Sequence, residues 1–244
     1  MSNTYFCVAY GGATVTCPPG HTMAALRKAI EIGATCNYVE VRTTRDGELV
    51  AWYSMQRIVG DDPIYLTDHT LAEWRNITED DPTPIVSLDD VLTLTAQTGY
   101  ALFIDVRAQG VENALARKLR KFQISYDSLM VVTSSDSSRT VMRSMDPKIR
   151  VAHRFGMDHH AKITGDLLMS IDADAVVWPG PAITPEIART LKDRGLAVYG
   201  GPVVLGDEMR RLRNKCGVDG IVTPCPELLL SLFSKDIPQP LAAV

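Results

Sequence analysis

The sequence predicts an α/β fold, a single (β/α)8 TIM barrel with a small insertion after the second strand. Two observations carry this reading. Short β-branched runs alternate with amphipathic stretches along all 244 residues, the pattern of parallel strands joined by crossover helices. Eight such units are present, the number that closes a barrel. Because no Gly/Ser linker or compositional break divides the chain, residues 1–244 read as one domain, with an insertion over about 48–85.

The predicted strands, in order, are 6–11, 38–44, 101–107, 129–135, 149–155, 174–179, 196–201 and 219–224. Between them, 22–33, 87–99 and 184–195 begin at Ser or Thr and end at Gly, as helix caps favour, and 111–122 and 205–217 share the amphipathic pattern. Two features interrupt the beat. Asp46-Gly47 is a hairpin signal, so residues 48–53 are expected to fold back antiparallel, outside the barrel, and carry Tyr53 to its rim. The polar excursion that follows contains a short helix around 70–76.

Composition narrows the function classes. Hydrophobic residues make up 45% and charged residues 22%, with a net charge of −4 and no run of five like charges, which gives no reason to expect nucleic-acid or anionic-membrane binding. The N-terminus lacks a basic segment followed by an apolar one, and no stretch reaches the roughly 18 apolar residues of a spanning helix. The reading is a cytoplasmic protein without membrane insertion, and a homo-oligomer is compatible with it. Cys7, Cys17, Cys36, Cys216 and Cys225 show neither paired nor zinc-ligand spacing and read as free thiols.

Strand alternation puts Tyr38, Glu40 and Arg42 on one face of their strand, and likewise Phe103, Asp105 and Arg107 on one face of theirs. Glu40, Arg42, Asp105 and Arg107 then converge at the C-terminal ends of the strands, where barrels carry their chemistry. Two carboxylates beside two guanidinium groups satisfy one another as ion pairs, expected as Glu40–Arg42 and Asp105–Arg107, and weaken any hard-cation site. Tyrosine, titrating near 10, is a poor base unless a neighbouring arginine lowers it. His21 opens the helix after the first strand, where an anion is favoured. His153 is placed where it could face the barrel interior, and Asp158, His159 and His160 read as a solvated loop.

The order of these pieces resembles the glycerophosphodiester phosphodiesterase family across almost the whole chain. VAYGG at 8–12 stands where the family reads A-H-R-G, and PPGHT at 18–22 where it reads A-P-E-N-T. Residues 38–54 lie over E-L-D-V-x-x-T-x-D-G-x-x-V-x-x-H-D, PIVSLDDVL over P-T-L-E-E-V-L, FIDVR over I-E-I-K, and GVDGIVTPCP over the terminal G-V-D-G-I-I-T-D-x-P. The resemblance implies two histidines as general acid and base and a divalent cation, magnesium or calcium, held by three carboxylates.

Carried over residue by residue, the two histidines become Tyr10 and Tyr53, and the phosphate-contacting arginine becomes Gly11. Two carboxylate positions fall on Tyr38 and Glu40, the third on Asp105, and the neighbouring lysine on Arg107. Glu-Asn becomes Gly20-His21, and at 199–202 Tyr-Gly-Gly-Pro replaces the family's polar strand end. This implies Tyr10 and Tyr53 at the catalytic positions, Glu40 and Asp105 as the remaining metal ligands, and Arg107, His21, Tyr38 and Arg42 as ligand contacts.

The expectation is therefore a divergent member that has lost the metal/two-histidine machinery. It would keep a pocket, centred on Tyr10, Glu40, Tyr53, Asp105 and Arg107 with His21 at its edge, for a small phosphate or polyol. The competing expectations are an active phosphodiester hydrolase, lyase or transferase using the tyrosines, His21 and arginines, and a non-enzymatic scaffold or oligomer subunit.

Overall fold

The first and last strands of the chain pair with one another, and this closes the barrel. The structure, a computed structural model, describes residues 6–77, 83–156 and 170–233. In chain order its strands begin with β1 (Phe6–Tyr10), β2 (Cys36–Thr43), β3 (Leu49–Ala51), β4 (Gln56–Val59), β5 (Asp62–Tyr65) and β6 (Val86–Ser87). They continue with β7 (Ala101–Val106), β8 (Leu129–Thr133), β9 (Val151–Arg154), β10 (Ala175–Trp178), β11 (Ala197–Gly200) and β12 (Gly220–Thr223). The parallel ladder runs β1-β2-β7-β8-β9-β10-β11-β12 and returns to β1. All eight predicted strands form, with ends within two residues of those expected.

Alternation sends every second side chain inward. Val8, Cys36, Tyr38, Phe103, Met130, Val132, Ala152, Val177, Tyr199 and Val222 pack as one cluster inside the barrel. The other faces meet the helices α1 (Met23–Glu31), α3 (Leu88–Thr98), α4 (Glu112–Lys121), α5 (Asp136–Met145), α6 (Pro185–Asp193), α7 (Gly206–Arg211) and α8 (Pro226–Phe233), with α2 (Leu71–Arg75) in the insertion. Thr22, Ser87, Ser135 and Thr184 each accept the backbone N–H three residues on, satisfying a donor that the first helical turn leaves unpaired. Beyond Arg211, α7 widens into a π-helical turn, Leu212–Cys216.

The insertion is built on the hairpin that Asp46-Gly47 predicts. Gly47 takes φ 80°, β3 pairs antiparallel with the end of β2, and β6 adds to β3, all outside the closed ladder. A second hairpin, β4–β5, was not expected. Beneath it Val50, Trp52, Leu66, Trp74 and Ile85 form a separate small core. The buried Arg57 guanidinium lies 5.1 Å from the Trp52 ring and 5.3 Å from Trp74, and donates to the carbonyls of Ile77 and Thr83.

His153 corrects one expectation. Ala152 belongs to the interior cluster, so its neighbour faces the helices instead. There its ring contacts Phe155 and its Nδ1 meets the Arg139 guanidinium at 2.5 Å. Asp158, His159 and His160 lie outside the described residues. All five cysteines are free, four of them buried. Among the described residues no helix is long and apolar enough to cross a membrane.

Candidate functional site

Glu40 near the end of β2 and Asp105 near the end of β7 are register partners, so their carboxylates stand side by side at the top of the interior. Both are buried, Asp105 completely. Arg107 bridges them, with Nη2 2.6 Å from Glu40 Oε1 and Nε 2.8 Å from Asp105 Oδ2. Arg42 reaches the other Glu40 oxygen at 3.4 Å, and Arg154, one layer above Ala152 on β9, reaches Asp105 Oδ1 at 3.1 Å. Tyr10 donates its hydroxyl to Glu40 at 2.6 Å and Tyr38 donates to Asp105 at 2.8 Å.

The expected pairs therefore form as a network, with Arg107 shared between both acids and Arg154 added. The strand at 149–155 held the signal for Arg154: once Ala152 points inward, so does residue 154. Tyr38 is a correction. It is buried beneath the carboxylates, with its hydroxyl spent on Asp105, so it supports the floor and does not face a ligand. Arg42 also donates to the carbonyls of Trp52 and Tyr53, anchoring the hairpin that brings Tyr53 to the rim.

Three guanidinium groups face two carboxylates, leaving one positive charge in excess. Their placement sharpens the effect. The Glu40 and Asp105 side chains are 5% and 0% exposed, those of Arg107 and Arg154 24% and 18%, so an approaching solute meets the cations. Burial pushes the Asp105 carboxyl up, opposed by Arg107 and Arg154.

The tyrosines are also shifted away from reactivity. Burial and the adjoining Glu40 push the Tyr10 hydroxyl up, and burial with Asp105 does the same to Tyr38. The phenolate that an arginine would have to stabilise is disfavoured instead.

At the end of β1 the chain turns through Gly11 at φ 67° and Gly12 at φ 84°. A Cβ on Gly11 would lie 2.6 Å from His21 Nδ1, so the missing side chain is what makes room for the imidazole. His21 is not at an edge: it is 3% exposed, sits at φ 61°, and packs edge-on against Tyr10 with ring centroids 5.5 Å apart. Burial, with Arg107 and Arg42 nearby, lowers its pKa to about 4, so the ring is neutral at pH 7. Its Nε2 is buried without a hydrogen-bond partner among the described residues.

Above this floor opens a cavity of about 630 Å³. Tyr10, Thr14, Pro19, Gly20, His21 and Tyr53 form one side, and Pro181, Pro202, Val203, Val204, Leu205, Glu208 and Pro224 the other. Glu40, Asp105 and Arg107 are not among its lining residues, which corrects the expected centre: the cavity is displaced toward the β10, β11 and β12 loops. The apolar wall is braced by Arg211, which pairs with Glu208 at 2.7 Å and donates to the carbonyls of Gly180 and Ile183.

A divalent cation needs several free oxygens, and the donor set here does not supply them. Each carboxylate is already ion-paired with two guanidinium groups and accepts a hydrogen bond from a phenol, and the third acidic position is Tyr38. Among the described residues no group of three His, Cys, Asp or Glu side chains is placed to hold a metal ion.

The glycerophosphoryl diester phosphodiesterase family model matches residues 12–228. The chain belongs to this family. It is 24% identical over 234 residues to a glycerophosphodiester phosphodiesterase from Caldanaerobacter subterraneus subsp. tengcongensis, covering 89% of this chain and 93% of that one. Among solved structures, a glycerophosphodiester phosphodiesterase from Parabacteroides distasonis superposes with TM-score 0.80 at 16% identity, covering 96% of this chain and 98% of the other. An Oleispira antarctica phosphodiesterase in complex with the product sn-glycerol-3-phosphate superposes with TM-score 0.80 at 17% identity, covering 93% and 96%. At these identities the structural likeness speaks to the fold. Within the family barrel, this member carries tyrosines where the resemblance places histidines and a cationic cluster where it places a metal.

Proposed function

We propose that this member of the glycerophosphoryl diester phosphodiesterase family binds a small phosphate-bearing ligand at its barrel mouth and does not hydrolyse glycerophosphodiesters by the metal/two-histidine route. One observation carries the reading: three partly exposed arginines outweigh two buried carboxylates. That electrostatic arrangement attracts an anion and repels a cation. The proton-transfer side agrees with it. Tyr10 is raised and already donates to Glu40, and His21 is held neutral by burial, so neither offers an acid or base matched to pH 7. The glycerol phosphate bound by the Oleispira relative is a ligand of the right charge, and its hydroxyls suit Tyr10 and Tyr53.

Calorimetry with inorganic phosphate, sn-glycerol 3-phosphate and glycerol tests this, with wild type beside Arg107→Ala and Arg154→Ala. Binding of both phosphates, weakened about tenfold or more by either substitution, which corresponds to about 1.4 kcal/mol, is the expected result. Absence of binding to wild type at millimolar concentration means that the bulky replacements plug the mouth. Chelator-sensitive turnover of glycerophosphocholine overturns the non-hydrolytic part.

A further inference from the structure

The cavity wall carries information that the charged floor does not. A site for glycerol phosphate alone needs polar partners on all sides, yet the wall opposite His21 is Pro181, Pro202, Val203, Val204 and Leu205, joined only by Glu208, whose carboxylate is paired with Arg211. Val204 is 52% and Leu205 68% exposed, so apolar surface runs from the cavity out to the rim. Exposed apolar side chains scattered singly are ordinary, but here they continue a concave apolar wall that Arg211 holds in place. On the other side of the same cavity, Tyr10 offers a polar contact, and its hydroxyl meets the same Glu40 oxygen as the Arg107 guanidinium.

We propose that the mouth is an amphiphile site, taking a monomeric phosphate ester of a single alkyl or acyl chain. The phosphate lies toward Arg107 and Arg154, and the chain runs along the 202–205 wall toward solvent. This rests on the phosphate-binding reading above and adds the class of substituent that the phosphate carries. Charge complementarity fixes the head, the continuity of apolar surface fixes the tail, and a cavity of about 630 Å³ exceeds what a glycerol phosphate fills.

The test is calorimetry with inorganic phosphate and with ethyl, butyl, hexyl and octyl phosphate below their micelle-forming concentrations, and with octanol as a chargeless control. Wild type is compared with a Val204→Ser/Leu205→Ser double variant, which removes apolar surface without adding charge, and with Arg107→Ala. Both wall residues are more than half exposed, and Leu205 is the N-cap of α7 with no side-chain cap of its own, so Ser there favours the helix.

A gain of about two- to fourfold in affinity per methylene is expected for wild type, from about 0.8 kcal/mol per fully buried CH2. The gain should flatten in the wall variant, with inorganic phosphate affinity held, and Arg107→Ala should weaken the whole series. Phosphates that bind with no dependence on chain length overturn this inference and leave the phosphate reading standing. Octanol bound as tightly as octyl phosphate overturns the anionic head, and no binding by any phosphate overturns both.

Discussion

Gly11 and His21 compete for the same space. A side chain at 11 and the ring at 21 cannot coexist at 2.6 Å, so a glycine at 11 is what the buried imidazole requires. Gly11→Ala should cost about 2 to 4 kcal/mol, from overpacking and from a left-handed φ imposed on a residue with a Cβ. Urea unfolding reads this directly. Adding His21→Gly should recover the steric part only.

The imidazole makes a second prediction. Its folded pKa of about 4 lies below the unfolded 6.5, so between those values the unfolded chain binds a proton that the native one refuses. Stability therefore falls as pH drops through this window. At pH 4.5 the penalty is about 2 to 3 kcal/mol, and His21→Asn, which tolerates the left-handed backbone, should remove it. Wild type and variant are compared by urea unfolding at pH 7.5 and pH 4.5. The inward faces of Glu40 and Asp105 were legible because strand alternation is strict. Burial of His21 was not, since it depends on a glycine ten residues earlier.

At the scale of elements, the barrel strands were easy to read because their β-branched runs recur between capped helices. The β4–β5 ribbon was not: its strands are four residues each, and Pro63 sits inside one of them, which argues against a strand from sequence alone. What stabilises that region is packing on Trp52 and Trp74 around Arg57, contacts between residues far apart in sequence. Arg57→Ala should therefore loosen the insertion and spare the barrel. Amide exchange in β4 and β5 should quicken by a factor set by about 2 to 4 kcal/mol of lost cation–π and charged hydrogen bonds. Exchange in β8 and β10 should be unchanged. Equal acceleration in both would mean that the insertion and barrel unfold as one unit.

For the whole molecule, family membership and chemistry part company. The ladder, the closure of β12 on β1 and the hairpin leading to Tyr53 give this chain the barrel expected of its family. The mouth side chains set what happens to a ligand. Wild type should show no metal-stimulated hydrolysis of glycerophosphocholine, since losing one acid–base group costs on the order of 10²- to 10⁴-fold and two are replaced. Tyr10→His alone should not restore it, because Tyr53 still occupies the second position and the arginines still neutralise the carboxylates. Turnover is measured with magnesium and with calcium, before and after chelation. The resemblance carried this much, but not the displacement of the cavity, because the 201–205 loop is shaped by its own packing and its sequence departs from the family there.

The shared Arg107 couples changes on the floor to one another. Replacing it alone leaves Glu40 with Arg42 and Tyr10 and Asp105 with Arg154 and Tyr38, a loss on the order of 1 to 3 kcal/mol, while neutralising either acid first leaves excess cations packed together. Any route to an ion-binding centre crosses variants that fold worse, unless the arginines and the acids change almost together. Such a mouth can drift toward new solutes through its rim, where Val204 and Leu205 are exposed and cheap to exchange. Its floor cannot drift one residue at a time.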